Sequence, residues 1–170
     1  IIAFFFPKNT KFAYEEIMKN NNIPEDIPFY ISVASNNDES LAPENKSGVF
    51  ILIPVPLKNK DYSWDEVSEK LLNKVLLRLR KHEIIINKKD IINKEIISPK
   101  KWKDLFGLYK GSAFGASHNL FQVGPFRNSN KSKKYKNLFF VGASTTPGTG
   151  LPMCVLSGKM VSERVLQNNE

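Results

Sequence analysis

The chain has 170 residues, 41% hydrophobic and 25% charged, which is ordinary globular usage and enough for a domain with a real core. One cysteine, Cys154, excludes an intrachain disulfide and a cysteine zinc cage, and no apolar run approaches the length that spans a bilayer. A formal net charge of +8 favours anionic partners, lipid or nucleic acid, yet the lysines look scattered and no RNA-binding, zinc-finger or helix-turn-helix signature accompanies them.

The first residue is Ile1, and IIAFFFPK reads as mid-protein sequence, so the chain is expected to be a piece of a longer one. Residues 1–6 read as a buried strand stopped by Pro7, and 12–19 as a short helix. A polar, proline-marked loop follows, then the aromatic and β-branched run 29–33, a second strand. After a long polar connection, 49–55 (VFILIPV) reads as a third strand, with Pro54 marking its end. Strands separated by a long loop predict an antiparallel or mixed sheet.

The clearest helix begins at Ser63. Ser63 and Glu66 have capping-box spacing, and Trp64, Val67, Leu71, Val75 and Leu79 recur at intervals of three and four, widened by Leu72 and Leu76. Lys70, Lys74, Arg78, Arg80 and Lys81 fall mostly off that face, so this is a scaffold helix covering a sheet. The isoleucine-rich runs 84–86 and 91–97 read as strands, 101–108 as one or two helical turns, and 111–117 (GSAFGAS) as a flexible small-residue segment. Arg127 opens a basic run, RNSNKSKKYK, which reads as a solvated loop or a patch resting on a membrane surface.

Residues 137–165 carry the strongest functional signal. The apolar run 138–141 meets Gly142, a loop holds Gly148 and Gly150, and Pro152 opens an apolar and small-residue helix. Strand, glycine-rich turn and helix is how a chain turns backbone N–H groups toward an anion or a ring oxygen. Glycine admits backbone angles closed to other residues, and proline suits the first helical position. The full GxGxxG pattern is absent, so spacing alone leaves an ordinary βα turn and a ligand loop both open. Cys154 reads as a small core residue, His82 as surface, and His118, among glycines and aromatics, as a cavity-lining or packing residue. Neither GxSxG, a Walker lysine, nor a histidine or cysteine metal cluster is present. That leaves backbone-mediated binding; no catalytic residue is assigned and no metal is expected.

These residues closely resemble the phytoene desaturases, FAD-dependent carotenoid desaturases of fungi and bacteria, with the fungal branch looking nearest. The family's Val-Gly-Ala-Ser-Thr-His-Pro-Gly-Thr-Gly-Val-Pro run is matched by VGAST from Val141 and PGTG from Pro147. Upstream, KGSAFGASHN, Gln122-Val123 and Phe126-Arg127 resemble a second family run, and PFYISVASNNDESLAPENK with VFILIPVP a third. The order is kept over nearly the whole chain.

The resemblance implies an α/β fold. Residues 1–136 would belong to an α+β substrate-binding domain with a mixed or antiparallel sheet and covering helices, and 137–170 would be the C-terminal strand–loop–helix of a Rossmann-like FAD-binding domain. It further implies hydride transfer to FAD from phytoene or a similar long polyene in carotenoid biosynthesis, oxygen or a quinone as electron acceptor, and peripheral attachment to a membrane surface. Gly142, Ala143 and Ser144 would lie along the ribityl or pyrophosphate part of FAD, and Gly150, Leu151, Pro152 and Met153 nearer its ring. His118 and Thr146 would line the substrate, Thr146 standing where the family has histidine. Ala143 stands where many relatives carry an aspartate, so a backbone amide replaces that carboxylate. Asn45 replaces a family glycine and tolerates the left-handed conformation. The GxGxxG region is not in this chain, so the piece alone is expected to retain no FAD and to be inactive. A related carotenoid or retinol flavin oxidoreductase, or a small basic membrane- or nucleic-acid-binding module, are the rival readings; nucleic acid is not the expected partner.

Overall fold

The computed structural model describes residues 2–57, 62–117 and 119–167. Helices and a small three-stranded sheet make the chain a mixed α/β protein, as expected. It divides by compactness into two units, Ile1–Ser98 and Pro99–Glu170, a different basis from the 1–136 and 137–170 division that the resemblance implies.

In the first unit, β1 (Ile2–Phe5), β2 (Phe29–Val33) and β3 (Val49–Leu52) form an antiparallel sheet in that order. Between β1 and β2, α1 (Thr10–Glu15) starts at Asn9, whose side chain accepts from the Phe12 N–H at 3.0 Å, and runs on as a π turn over Glu16–Asn20. The register sets Phe5 opposite Phe29, and Ile31 opposite both Ala3 and Ile51, so alternation gathers these five on one face. Helix α2 (Trp64–Arg80) covers that face. Its Leu71, Val75 and Leu79 join Ile27, Phe29 and Ile31 in one buried cluster, with Val67 packed against it. Val75 and Leu79 are fully enclosed, each burial being worth about 1.5–3 kcal/mol. Arg78 ties the helix to the sheet's margin. It pairs with Asp26 at 2.7 Å, donates to the Ile27 carbonyl at 2.9 Å and to the Phe6 carbonyl, and lies over the Phe29 ring. The opposite sheet face is bare and aromatic: Tyr30 touches Phe4 and Phe50 at ring separations of 4.9 and 6.1 Å.

Four expectations in this unit need correction. Residues 1–6 are not a buried strand: β1 alternates exposed and half-buried side chains, with Ile2, Phe4 and Phe6 exposed. Ser63 is the N-cap of α2, but its side chain makes no capping bond, so the capping box does not form. The run 84–86 is not a strand. Glu83 takes a left-handed φ of 63°, and the Ile84 N–H returns to the Leu79 carbonyl at 3.1 Å, a Schellman closure that folds Ile84 and Ile86 back onto the core. Nor does 91–97 form a strand. Lys88 and Lys94 both pair with Glu69 of α2, which holds this segment along the helix and away from a sheet edge. Asn45, by contrast, adopts the expected left-handed φ, at 58°. Nearby, Asp38 accepts from the Ser40 hydroxyl at 2.6 Å and the Ser40 N–H at 3.0 Å, and these bonds hold its carboxyl below the ordinary range.

The second unit contains α3 (Pro99–Phe106), α4 (Leu151–Gln167) and a series of short turns. The run 138–141 is not a strand: only Phe139 makes a bridge, to Lys131. Its neighbour Phe140 is satisfied on both sides by Asn130, whose backbone carbonyl accepts from the Phe140 N–H at 2.8 Å and whose side-chain amide donates to the Phe140 carbonyl at 3.2 Å. A side chain thus supplies the bond a neighbouring strand would have made.

Candidate functional site

The loop 142–150 is shaped by three glycines with positive φ: 114° at Gly142, 151° at Gly148 and 115° at Gly150. A side chain at Gly142 or Gly150 would meet no atom within 4 Å, so each borders open space that a Cβ would fill. Elsewhere the backbone approach is tight. A Cβ on Gly115 would lie 2.7 Å from the Ser144 hydroxyl, which accepts the Ala116 N–H at 3.2 Å. Thr149 adds a hydroxyl bond of 2.6 Å to the Phe114 carbonyl. The small residues of 111–117 are therefore what lets this segment lie against the loop.

The inner side of the loop is held by four buried polar residues, Arg127, Asn130, Thr145 and Ser157. The Asn130 amide nitrogen donates within 2.9 Å of the Thr146 carbonyl and lies 3.0 Å from the Ser157 hydroxyl and 3.2 Å from that of Thr145. The Ser157 hydroxyl also accepts the Gly142 N–H at 3.2 Å. Arg127 donates from Nε to the Thr145 carbonyl at 2.9 Å, from Nη1 to the Gln122 carbonyl at 2.9 Å, and from Nη2 to the Ala143 carbonyl. Arg127 is therefore not part of a solvated basic loop; its rigid fork is spent on four carbonyls and the Thr149 hydroxyl, which no lysine could reach together.

On the outer side the pattern reverses. A peptide plane is trans, so drawing the Ala143 carbonyl inward turns the Ser144 N–H outward. Among the described residues, the N–H groups of Ala143, Ser144, Gly150, Leu151 and Met153 donate to nothing. Helix α4 begins at Leu151, and its first bond to the loop runs from the Cys154 N–H to the Gly150 carbonyl at 2.9 Å. Its positive end and the unpaired N–H groups of Gly150, Leu151 and Met153 fall together at the end of the loop, a local setting that attracts anions.

The structure thus brings Gly142, Ala143, Ser144, Gly150, Leu151, Pro152 and Met153 onto one loop and helix start, with Ser144, Gly150, Leu151, Pro152 and Met153 exposed. The Gly142 N–H is already spent on Ser157, so Gly142 contributes space and not a donor. Thr146 is half-buried. Its hydroxyl and its N–H both donate to the Asn128 carbonyl, at 3.1 and 2.9 Å. His118 lies outside the described residues. Cys154 is half-buried rather than a core residue, and His82 is exposed with its ring edge on Phe5 at 5.3 Å. Sequence reading passed over Asn130 and Ser157. Asn130 sits in the basic run, and the only signal for Ser157 was a hydroxyl among the apolar and small residues of the first half of α4.

No family model matches the chain. Relatives of the chain nevertheless include several carotenoid desaturases. The zeta-carotene-forming phytoene desaturase of Myxococcus xanthus is 39% identical over 95% of this chain. The phytoene desaturase of Fusarium fujikuroi is 33% identical over 92%, and the 4,4'-diapophytoene desaturase of Staphylococcus haemolyticus 32% over 89%. The chain is a homologue of the phytoene and diapophytoene desaturases across nearly all of its length, and it spans about 31% of theirs. The bacterial protein shares more residues with it than the fungal one does, against the fungal leaning of the motifs.

Proposed function

We propose that this chain is the carboxyl-terminal part of an FAD-dependent phytoene desaturase acting on phytoene or a similar long polyene. The observation that carries the reading is the loop 142–150, fixed from within by buried side chains and open outward through unpaired N–H groups, in a homologue of desaturases. The residues fit a flavin dinucleotide. Open space beside Gly142 and Gly150 admits a ligand against the backbone, and the N–H groups of Ala143 and Ser144 suit phosphate or ribityl oxygens. Those of Gly150, Leu151 and Met153, at the positive end of α4, suit the electron-rich edge of the ring. When bound, FAD supplies the acceptor for the hydride removed from the substrate. The chain's part is to hold and orient: Arg127, Asn130 and Ser157 fix the loop, and exposed Leu151 and Met153 offer apolar surface beside it. His118 and Thr146 are the proposed substrate-lining positions.

Among the described residues no helix is long and apolar enough to cross a membrane, and the net charge of +8 supports peripheral attachment to an anionic lipid surface. With FAD held there, oxygen or a quinone would serve as the final electron acceptor. The test is expression of the full-length protein in a phytoene-accumulating host, with pigment extraction and a visible spectrum. Coloured carotenoids and a flavin band are expected; unchanged phytoene with a flavin-free protein would sink the proposal, and turnover of another carotenoid or of retinol would move it to a related oxidoreductase.

A further inference from the structure

We infer that Arg127 is a positioning residue that makes the loop selective for an anionic, phosphate-bearing flavin over a neutral one; this rests on the FAD reading above. Two observations carry it. The first is the distribution of charge. Residues 105–162 contain no Asp or Glu but hold Lys110, Arg127, Lys131, Lys133, Lys134, Lys136 and Lys159, so this stretch carries seven of the chain's net eight positive charges. The lysines are less scattered than they look, because the acids are missing where the loop is.

The second is the state of Arg127 itself. It is 5% exposed, and every partner it has among the described residues is a carbonyl or the Thr149 hydroxyl, never a carboxylate. A buried cation without a counter-charge is costly, and carbonyl dipoles solvate it without cancelling its charge. The guanidinium sits directly behind the Ala143 and Thr145 peptides, so its field passes through one layer of backbone to the surface where the Ser144 N–H points. There it adds to the positive end of α4. A neutral ligand gains the donors alone; an anion gains the donors and the missing counter-charge. Because Arg127 is buried, salt screens this attraction less than it screens that of the surface lysines.

The experiment uses the full-length protein freed of flavin and titrated with FAD and with riboflavin, which lacks phosphate. Arg127→Met, Arg127→Lys and Lys103→Met, an exposed control outside the acid-free stretch, are compared with the wild type. Arg127→Met loses both the fork and the charge, so riboflavin weakens about as much as it does in Arg127→Lys, and FAD is expected to weaken about tenfold or more beyond that. Arg127→Lys keeps the charge and loses the fork, so both ligands weaken and their affinity ratio stays within about threefold of wild type. Lys103→Met leaves both unchanged. Equal losses of FAD and riboflavin in Arg127→Met, or no loss of FAD, would overturn the inference while leaving the FAD reading intact. A wild type that takes up neither flavin would end both. Should Arg127→Met fail to fold by circular dichroism, the Arg127→Lys ratio decides: preserved, it supports the inference; fallen about tenfold, it refutes it.

Discussion

The two units bury opposite kinds of side chain. The first encloses Ile27, Phe29, Ile31, Leu71, Val75 and Leu79, whereas the second encloses Arg127, Asn130, Thr145 and Ser157, with Val161. Apolar burial is non-directional, so it brings a helix and a sheet together without fixing any one backbone amide. Hydrogen bonds weaken steeply when misaligned, so a polar cluster can dictate which way each peptide of a loop faces. The first arrangement suits a scaffold and the second a ligand loop. The second also leaves apolar side chains of α4 uncovered: Leu151 is 84% and Val155 74% exposed.

Three experiments test that contrast. Leu79→Ala removes a fully enclosed side chain and is expected to cost about 3 kcal/mol, read as a lowered denaturant midpoint at Trp64 with Trp102→Phe as background. An unshifted midpoint would mean the α2 cluster does not hold the first unit together. Asn130→Ala is expected to cost about 2 kcal/mol, because it strands the Phe140 and Thr146 carbonyls, read at Trp102 with Trp64→Phe. Combined with Ser157→Ala it should cost less than the sum of the two, by about 1 kcal/mol. Strict additivity would show that the buried residues act singly and not as a cluster. The smallest effect concerns acid. The Ser40 hydroxyl, then its N–H, holds the Asp38 carboxyl below the ordinary range. A depressed carboxylate contributes stability above its unfolded pKa and loses it as pH falls through the folded value. Ser40→Ala should move the Asp38 titration, followed by NMR, upward toward the ordinary range; an unmoved titration would remove the hydroxyl as its cause.

Legibility in the sequence followed the same divide. The α2 face was readable because Leu71, Val75 and Leu79 repeat with the helix, and β1 to β3 because their apolar runs end at prolines or loops. The runs 84–86 and 91–97 were misread for want of long-range information: isoleucine favours strands, but the Schellman closure at Glu83 and the pull of Glu69 decide otherwise. The loop's donors were foreseeable from its glycines and the helix behind them. Its supports were not, because Asn130 and Arg127 stand in a run of polar and basic residues with nothing local to mark them as buried. The partners of Asn130 lie 10 to 27 positions away, from Phe140 to Ser157, and those of Arg127 5 to 22, from Gln122 to Thr149.

The buried polar cluster also has a thermal consequence. Exposing apolar surface raises the heat capacity on unfolding and exposing polar surface lowers it, so the second unit should unfold with the smaller increment per residue. Its stability curve is therefore expected to be the flatter one. Cooling weakens apolar burial more than hydrogen bonding, so on cooling the cluster under α2 is expected to lose stability before the hydrogen bonds behind the loop do.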